Sequence, residues 1–351
     1  MSNDRGVFTL GAYRRAQVKG QGVDLDDVWF PSTTTGGYFA GGLGPGSPTY
    51  VGTPIPGSLG STIVSKLTFG SGTLARIPSG DLPDENVASG PFSSNIAGYM
   101  VGGSNSGNGR NSTVRKLTYS TDTTASIGDL GALSDGWLGA ATFNSLTAGY
   151  ATAGNAGPHS NQHPVGGTNY ATKMTFGSDS WNAIPNLGLP VGRTGQALSS
   201  STSGYVLGGR TDSGSVPTYG YLKSFVSKFS FSSDTNSRTP SSDLSIPIKN
   251  VSATGDSSSG YIMGGGTDDV NYTSVTSRIQ KFSYTTETTS LNPSNIPVAM
   301  LSSSATGDKT NGYSAGGVDG SSNYYSSITK IDFSTGTTSS FGSDLPQGAR
   351  S

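Results

Sequence analysis

Gly204-Tyr205-Val206-Leu207-Gly208-Gly209, followed by Lys228-Phe229-Ser230-Phe231, is the stretch on which the reading of this 351-residue chain turns. The second piece alternates polar and apolar side chains with the period of two that a strand requires. Both pieces recur. Gly-Tyr starts a copy at Gly37, Gly98, Gly149, Gly204, Gly260 and Gly312, usually running on through a small or apolar pair to Gly-Gly. The third copy departs from this, reading Gly149-Tyr150-Ala151-Thr152-Ala153-Gly154. The Lys piece starts at Lys66, Lys116, Lys173, Lys228, Lys281 and Lys330 and ends on Phe69, Tyr119, Phe176, Phe231, Tyr284 and Phe333. Self-similarity at a period of this size marks a repeat architecture.

The spacing of the two marks is informative. From each Lys to the next Gly-Tyr the count is 32, 33, 31, 32 and 31 residues. From Gly-Tyr to its own Lys it is 29, 18, 24, 24, 21 and 18. One half of the repeat is rigid in length, and the other contains a loop that accepts insertions. In the fourth copy four short strands are expected, over residues 194–200, 204–209, 226–232 and 235–240, with Gly, Pro, Asn and Asp at the joins.

A four-stranded unit of this length is the size of a propeller blade, whereas a solenoid would need distinct end caps. The expected fold is all-β: a six-bladed propeller of four-stranded antiparallel blades over residues 27–351. After Lys330 only 21 residues remain, about ten short of the constant interval, and residues 27–36 before the first Gly-Tyr supply that number. Asp27, Val28, Trp29 and Phe30 are therefore expected to form the innermost strand of the last blade. An N-terminal strand would then close the ring and remove its open sheet edges.

Composition agrees with this class. Glu occurs only at Glu85 and Glu287, charged residues make up 12%, and Gly numbers 53, which disfavours helices. The 21 basic and 22 acidic residues leave no basic excess for nucleic acid. There is no Cys, so disulfides are excluded. No continuous apolar run suits a Sec signal or a membrane helix.

Leu189-Pro190-Val191-Gly192-Arg193 together with the Gly204 stretch resembles a kelch repeat, and Leu82-Pro83, Ile246-Pro247, Ile296-Pro297 and Leu345-Pro346 are related pieces. Lys116-Leu117-Thr118-Tyr119-Ser120-Thr121-Asp122-Thr123-Thr124, with Ala253-Thr254-Gly255-Asp256 and Gly260-Tyr261, looks like the repeat of virion structural proteins of tailed phages, especially those of marine cyanobacteria. That resemblance implies a non-enzymatic tail, fibre or capsid-surface appendage. Its location would be the virion, assembled in the host cytoplasm. Its partners would be other virion proteins and a host-surface glycan or protein. No cofactor is implied. A free carbohydrate-binding lectin is the alternative, and a glycan-active hydrolase or oxidase a third reading.

Few residues suit catalysis. Galactose oxidase, which shares the kelch propeller, needs copper and a Tyr-Cys cross-link that a chain without Cys cannot form. His159 and His163 fall in a Gly/Pro/Asn-rich loop, where their spacing loses the geometry it would have on a helix. Ser178-Asp179-Ser180-Trp181 resembles the Asp turn of sialidases but is not seen to recur. Glu85 and Glu287 are expected in solvated turns, and Asp268-Asp269 with Asn271 reads as an Asx-rich turn or a calcium ligand set. The Gly-Gly pairs are read as small residues that let the blades converge.

Two regions remain as candidates for recognition. Tyr50, Tyr170, Tyr219, Tyr221, Tyr272, Tyr324 and Tyr325 all lie in the variable segments, on one face of the ring. Their amphipathic rings suit a glycan or protein, or else pack over neighbouring blades. Residues 1–26 form an N-terminal arm in which Arg5, Arg14, Arg15 and Lys19 surround Val7, Phe8, Leu10 and Tyr13. This is a docking segment or a frayed end.

Overall fold

In a computed structural model, residues 36–41, 61–86, 89–104, 111–129, 137–152, 155–156, 171–184, 196–209, 222–238, 240–268 and 274–345 are described. They form a six-bladed β-propeller of antiparallel meanders. The first blade contributes Gly36–Ala40, Val64–Thr68 and Thr73–Arg76. The second has Gly90–Ser93, Ala97–Val101, Thr113–Thr118 and Thr123–Asp129. Ala141–Asn144, Ala148–Thr152, Ala171–Thr175 and Ser180–Ile184 make the third. The fourth comprises Gln196–Ser199, Ser203–Leu207, Val226–Ser230 and Thr235–Arg238. Ser252–Gly255, Ser259–Met263, Ile279–Ser283 and Thr288–Leu291 make the fifth. The sixth consists of Ser304–Gly307, Asn311–Ala315, Ile328–Asp332 and Thr338–Ser340.

Within every blade the two sequence marks are cross-strand partners: Tyr38 faces Lys66, Tyr99 Lys116, Tyr150 Lys173, Tyr205 Lys228, Tyr261 Lys281 and Tyr313 Lys330. Between blades they interlock. Each Gly-Tyr ring stacks on the aromatic that ends the next blade's Lys piece. The pairs are Tyr38 on Tyr119, Tyr99 on Phe176, Tyr150 on Phe231, Tyr205 on Tyr284, Tyr261 on Phe333 and Tyr313 on Phe69. Centroids lie 5.2 to 5.6 Å apart with interplanar angles of 7° to 18°. Such pairs contribute about 0.5–1.5 kcal/mol each beyond the area they bury.

The Gly of Gly-Tyr has a steric role in the same contact. The residue six positions before it, on the innermost strand, leans over the corresponding Gly of the next blade. A Cβ added at Gly149 would come within 3.0 Å of Phe92, at Gly204 of Phe143, at Gly260 of Leu198, at Gly312 of Thr254 and at Gly37 of Thr306. The Gly-Gly pairs are close-packed too: a Cβ at Gly264 would come within 3.0 Å of Met300 O, and one at Gly265 within 3.0 Å of Val251 and Ile248. Gly264 (φ 66°) and Gly265 (φ 106°) turn the chain out of its strand in left-handed conformation, and the blade-to-blade crossing runs directly beneath them, Gly265 N–H donating to Met300 O at 2.7 Å.

The ring closes where Thr306 of the last blade meets Gly37 and Tyr313 stacks on Phe69. The N-terminal sheet thus seals the circle, but not by lending a strand to the last blade. The last blade's innermost strand is its own Ser304–Gly307. Asp27, Val28, Trp29 and Phe30 lie outside the described residues. The constant interval counts one blade's outer strand together with the following blade's innermost one, so the shortfall after Lys330 is no missing strand of the last blade.

Candidate functional site

The chemistry that the described residues bring together sits at the junctions between blades. Each outer hairpin turns through one motif: a Ser or Thr, a residue in left-handed conformation, then another Ser or Thr. The central residue is Gly72 (φ 67°), Asp122 (51°), Asp179 (50°), Asp234 (53°), Glu287 (51°) and Gly336 (70°) in chain order. The flanking hydroxyls bond to each other in all six turns, as at Thr121–Thr123 (2.7 Å) and Ser178–Ser180 (2.8 Å). A left-handed non-Gly residue costs about 1–2 kcal/mol, so four turns hold an acid there against local preference.

The acid reaches back to the preceding blade. Asp122 accepts from Lys66 Nζ at 2.8 Å and from the Tyr38 hydroxyl at 2.6 Å. Asp179 takes Lys116 at 2.7 Å and Tyr99 at 3.1 Å. Asp234 takes Lys173 at 2.7 Å and Tyr150 at 3.2 Å. Glu287 accepts from Lys228 and, at 3.2 Å, from Tyr205. Burial pushes the Asp122 carboxyl up, yet the Lys66 ammonium and the Tyr38 hydroxyl outweigh it and leave it below the usual carboxylate range. The bond to Asp179 raises Lys116. Burial with the Glu287 charge lifts Tyr205 to about 12, so its phenol remains a donor.

Two junctions differ. Between the fifth and sixth blades the left-handed residue is Gly336, and the Tyr261 hydroxyl donates instead to Phe333 O at 2.8 Å. Asn292 donates to Gly336 O at 2.7 Å and fills the place where a Cβ would project. Between the sixth and first blades the residue is Gly72, and no carboxylate among the described residues meets Lys330 or Tyr313.

Glu287 lies in the expected turn but is an inter-blade ligand rather than a solvated tip. Asp179 likewise belongs to a recurring position and not to an isolated sialidase-like turn. Sequence reasoning missed this series, although an aromatic followed at two and four residues by Ser or Thr marks all six turns. Asp268 is engaged by Lys249 at 3.3 Å and by Ser274 N–H at 2.9 Å. Among the described residues no cluster of His, Asp or Glu suits a metal. Asp269, Asn271, His159 and His163 lie outside them, as do Tyr50, Tyr170, Tyr219, Tyr221, Tyr272 and the arm residues Arg5, Phe8, Tyr13, Arg14 and Arg15.

Tyr324 and Tyr325 are half-buried on the last blade. Tyr324 bridges Val318, and the Tyr325 hydroxyl donates to Asp319 at 3.0 Å. On the opposite face, a shallow cleft of about 610 Å³ in the fourth blade is lined by Ser203, Lys228, Ser230, Phe231, Thr235 and Ser237. No helix among the described residues is long and apolar enough to cross a membrane. No protein-family model matches the chain, and no curated protein sequence matches it either.

Proposed function

We propose that this propeller is a non-enzymatic structural component of a tailed-phage virion, a tail, fibre or capsid-surface appendage of the type found in marine cyanophages. The reading rests on the resemblance of the Lys116–Thr124 and Ala253–Tyr261 stretches to repeats of such proteins. One structural observation supports it: the carboxylates, ammoniums and phenols that could do chemistry hold blade to blade at four junctions. A ring fastened in this way suits a rigid mount for variable loops. In this role the arm at residues 1–26 docks on a neighbouring virion protein and the loop face meets a neighbour or the host surface. Quantitative mass spectrometry of density-purified particles tests it. A fixed copy number that survives salt washing is the expected result, and absence from particles removes the reading.

A lectin is the second reading, and the cleft lined by Ser203, Ser230, Thr235 and Ser237 favours it, because several hydroxyls on one concave surface can hydrogen-bond a sugar. Glycan-array binding lost on Ser237→Ala, with no particle association, would support it over the virion role.

A further inference from the structure

Five of the six blades carry an innermost strand beside their Gly-Tyr strand. Among the described residues the first blade has three strands, with Gly36–Ala40 at its inner edge. Gly41 N–H donates outward to Ile63 O at 3.1 Å. By the alternation of an antiparallel ladder, Tyr38 and Ala40 therefore turn their N–H and C=O groups toward the axis. An edge of this kind is a template for a further strand. Gly98 on the second blade points to the same strand. In the other five blades the Gly of Gly-Tyr lies under a side chain of the preceding blade's innermost strand, six residues before that blade's own Gly-Tyr. The described atom nearest a Cβ on Gly98 is Tyr119 Oη at 3.2 Å, and the residue six before Gly37 is Pro31.

The sequence before Gly36 has the matching pattern. In the other five blades a Ser or Asp four residues before the Gly of Gly-Tyr opens a tight turn. Ser94, Ser145, Ser200, Asp256 and Asp308 each accept from the N–H three positions on, at 2.7 to 3.1 Å. Thr33 holds that position before Gly37. We propose that the inner edge of the first blade is a strand-binding slot filled by this chain's own residues 29–32, and that the N-terminal arm therefore leaves the ring on the loop face.

In the register of the other blades Ser32 stands opposite Gly37, Pro31 opposite Tyr38 and Trp29 opposite Ala40, with the turn at Thr34 and Thr35. Pro31 can accept from Tyr38 N–H but has no N–H to return, so this strand makes one ladder bond fewer than its counterparts. Gly36–Ala40 runs toward the loop face and into the variable interval, so an antiparallel strand beside it begins at that face, with Trp29. Residues 1–28 then emerge near the axis, on the face that carries Tyr324 and Tyr325. Whatever the arm docks on meets the variable loops at the same time, and the opposite face, with the exposed hairpin residues Ile96 and Leu146, is left clear. The slot follows from the ring geometry and the repeat, so it stands or falls independently of the virion role.

Amide exchange of the full-length protein, read residue by residue by NMR, tests the slot. Tyr38 and Ala40 should be protected to within about tenfold of Gly37 and Phe39, whose amides bond outward within the sheet. Protection lower than theirs by more than about tenfold would mean an open edge and overturn the proposal. Val28→Cys gives this cysteine-free chain a single thiol for a nitroxide label. The label should broaden the amides of Gly41, Gly102 and Gly317, at the loop-face ends of their strands, and spare those of Ile96, Leu146 and Lys309 at the hairpin turns. Broadening of the hairpin turns, or of neither set, overturns the placement of the arm. A mixture of nitroxide-bearing protein with isotope-labelled protein lacking the nitroxide shows whose strand fills the slot. No broadening is expected in the mixture. Broadening of Gly41 there would mean that a second copy supplies the strand, and would overturn the assignment to the chain's own residues.

Discussion

Replacing Asp234 separates the two opposing contributions at a filled junction. Its carboxylate accepts from Lys173 Nζ at 2.7 and 3.1 Å and from the Tyr150 hydroxyl at 3.2 Å. The Lys173 and Asp234 side chains are 28% and 33% exposed, so the ion pair is screened and contributes only about 1 kcal/mol. The phenol bond adds about 1 kcal/mol. Against these stands the left-handed backbone at φ 53°, which costs a non-Gly residue about 1 kcal/mol or somewhat more. Asp234→Ala loses both bonds and keeps the strain, so a loss of about 2 kcal/mol is expected. Asp234→Gly loses the same bonds but relieves the strain, which brings the net loss to about 1 kcal/mol. Urea unfolding followed by circular dichroism reads the difference as a change in midpoint at unchanged slope. A cycle with Lys173→Met should return a coupling of about 1 kcal/mol. Equal midpoints for the Ala and Gly variants would refute the strain argument, and zero coupling would refute the pair.

Gly260→Ala should destabilise by about 1–3 kcal/mol because its methyl meets Leu198, and adding Leu198→Ala should recover part of that loss in a thermal melt. If the single variant melts with the wild type, the Gly is not steric. The stabilisation from Asp122, whose carboxyl is held low, is present above the unfolded carboxylate value of about 3.9 and disappears as pH falls through its folded value. The stabilisation from Lys116, held high, is present below about 10.4 and is lost as pH rises through its folded value. Asp122→Asn should therefore lower the melting temperature near neutrality and flatten the acid limb, and an unchanged acid limb would contradict the assignment. Among the described residues the sixth blade is the one with no carboxylate at either junction, so amides of Asn311–Ala315 should exchange with deuterium faster than those of Ala148–Thr152 in the third. The reverse order would mean that stacking and steric contacts, not ion pairs, set the local stability.

The ring was legible because its marks recur six times and the strands between them alternate. What the sequence did not reveal is that the two marks are halves of one contact. Tyr205 and Tyr284 read as separate anchors, yet they stack across a blade boundary. Glu287 was expected to be solvated for a related reason. Its partners, Lys228 and Tyr205, are 59 and 82 residues away, and no local pattern points to them. The hydroxyl-flanked turn did carry a local signal, hidden because its central residue changes from acid to Gly. The loop tyrosines rested on position alone, and of those described, Tyr325 has its hydroxyl engaged by Asp319 within the same loop.

The difference between the constant and the variable interval follows from the interlock. The constant interval runs along one blade's outer strand, crosses to the next blade and descends its innermost strand. Every residue in it helps to set how the second blade sits on the first. An insertion there would move Leu198 off Gly260 or slide Tyr205 off Tyr284, and the error would have to be absorbed at the closing contact of Tyr313 with Phe69. The variable interval leaves a sheet from its Gly-Tyr strand and returns to the neighbouring Lys strand of the same sheet. The register of Tyr205 on Lys228 is held by the ladder itself, whatever length of chain lies between. Loop closure costs grow only slowly with length, so added residues burden folding little. The ring geometry and the loop face are therefore mechanically independent, and such a scaffold can vary its loops without altering how it closes.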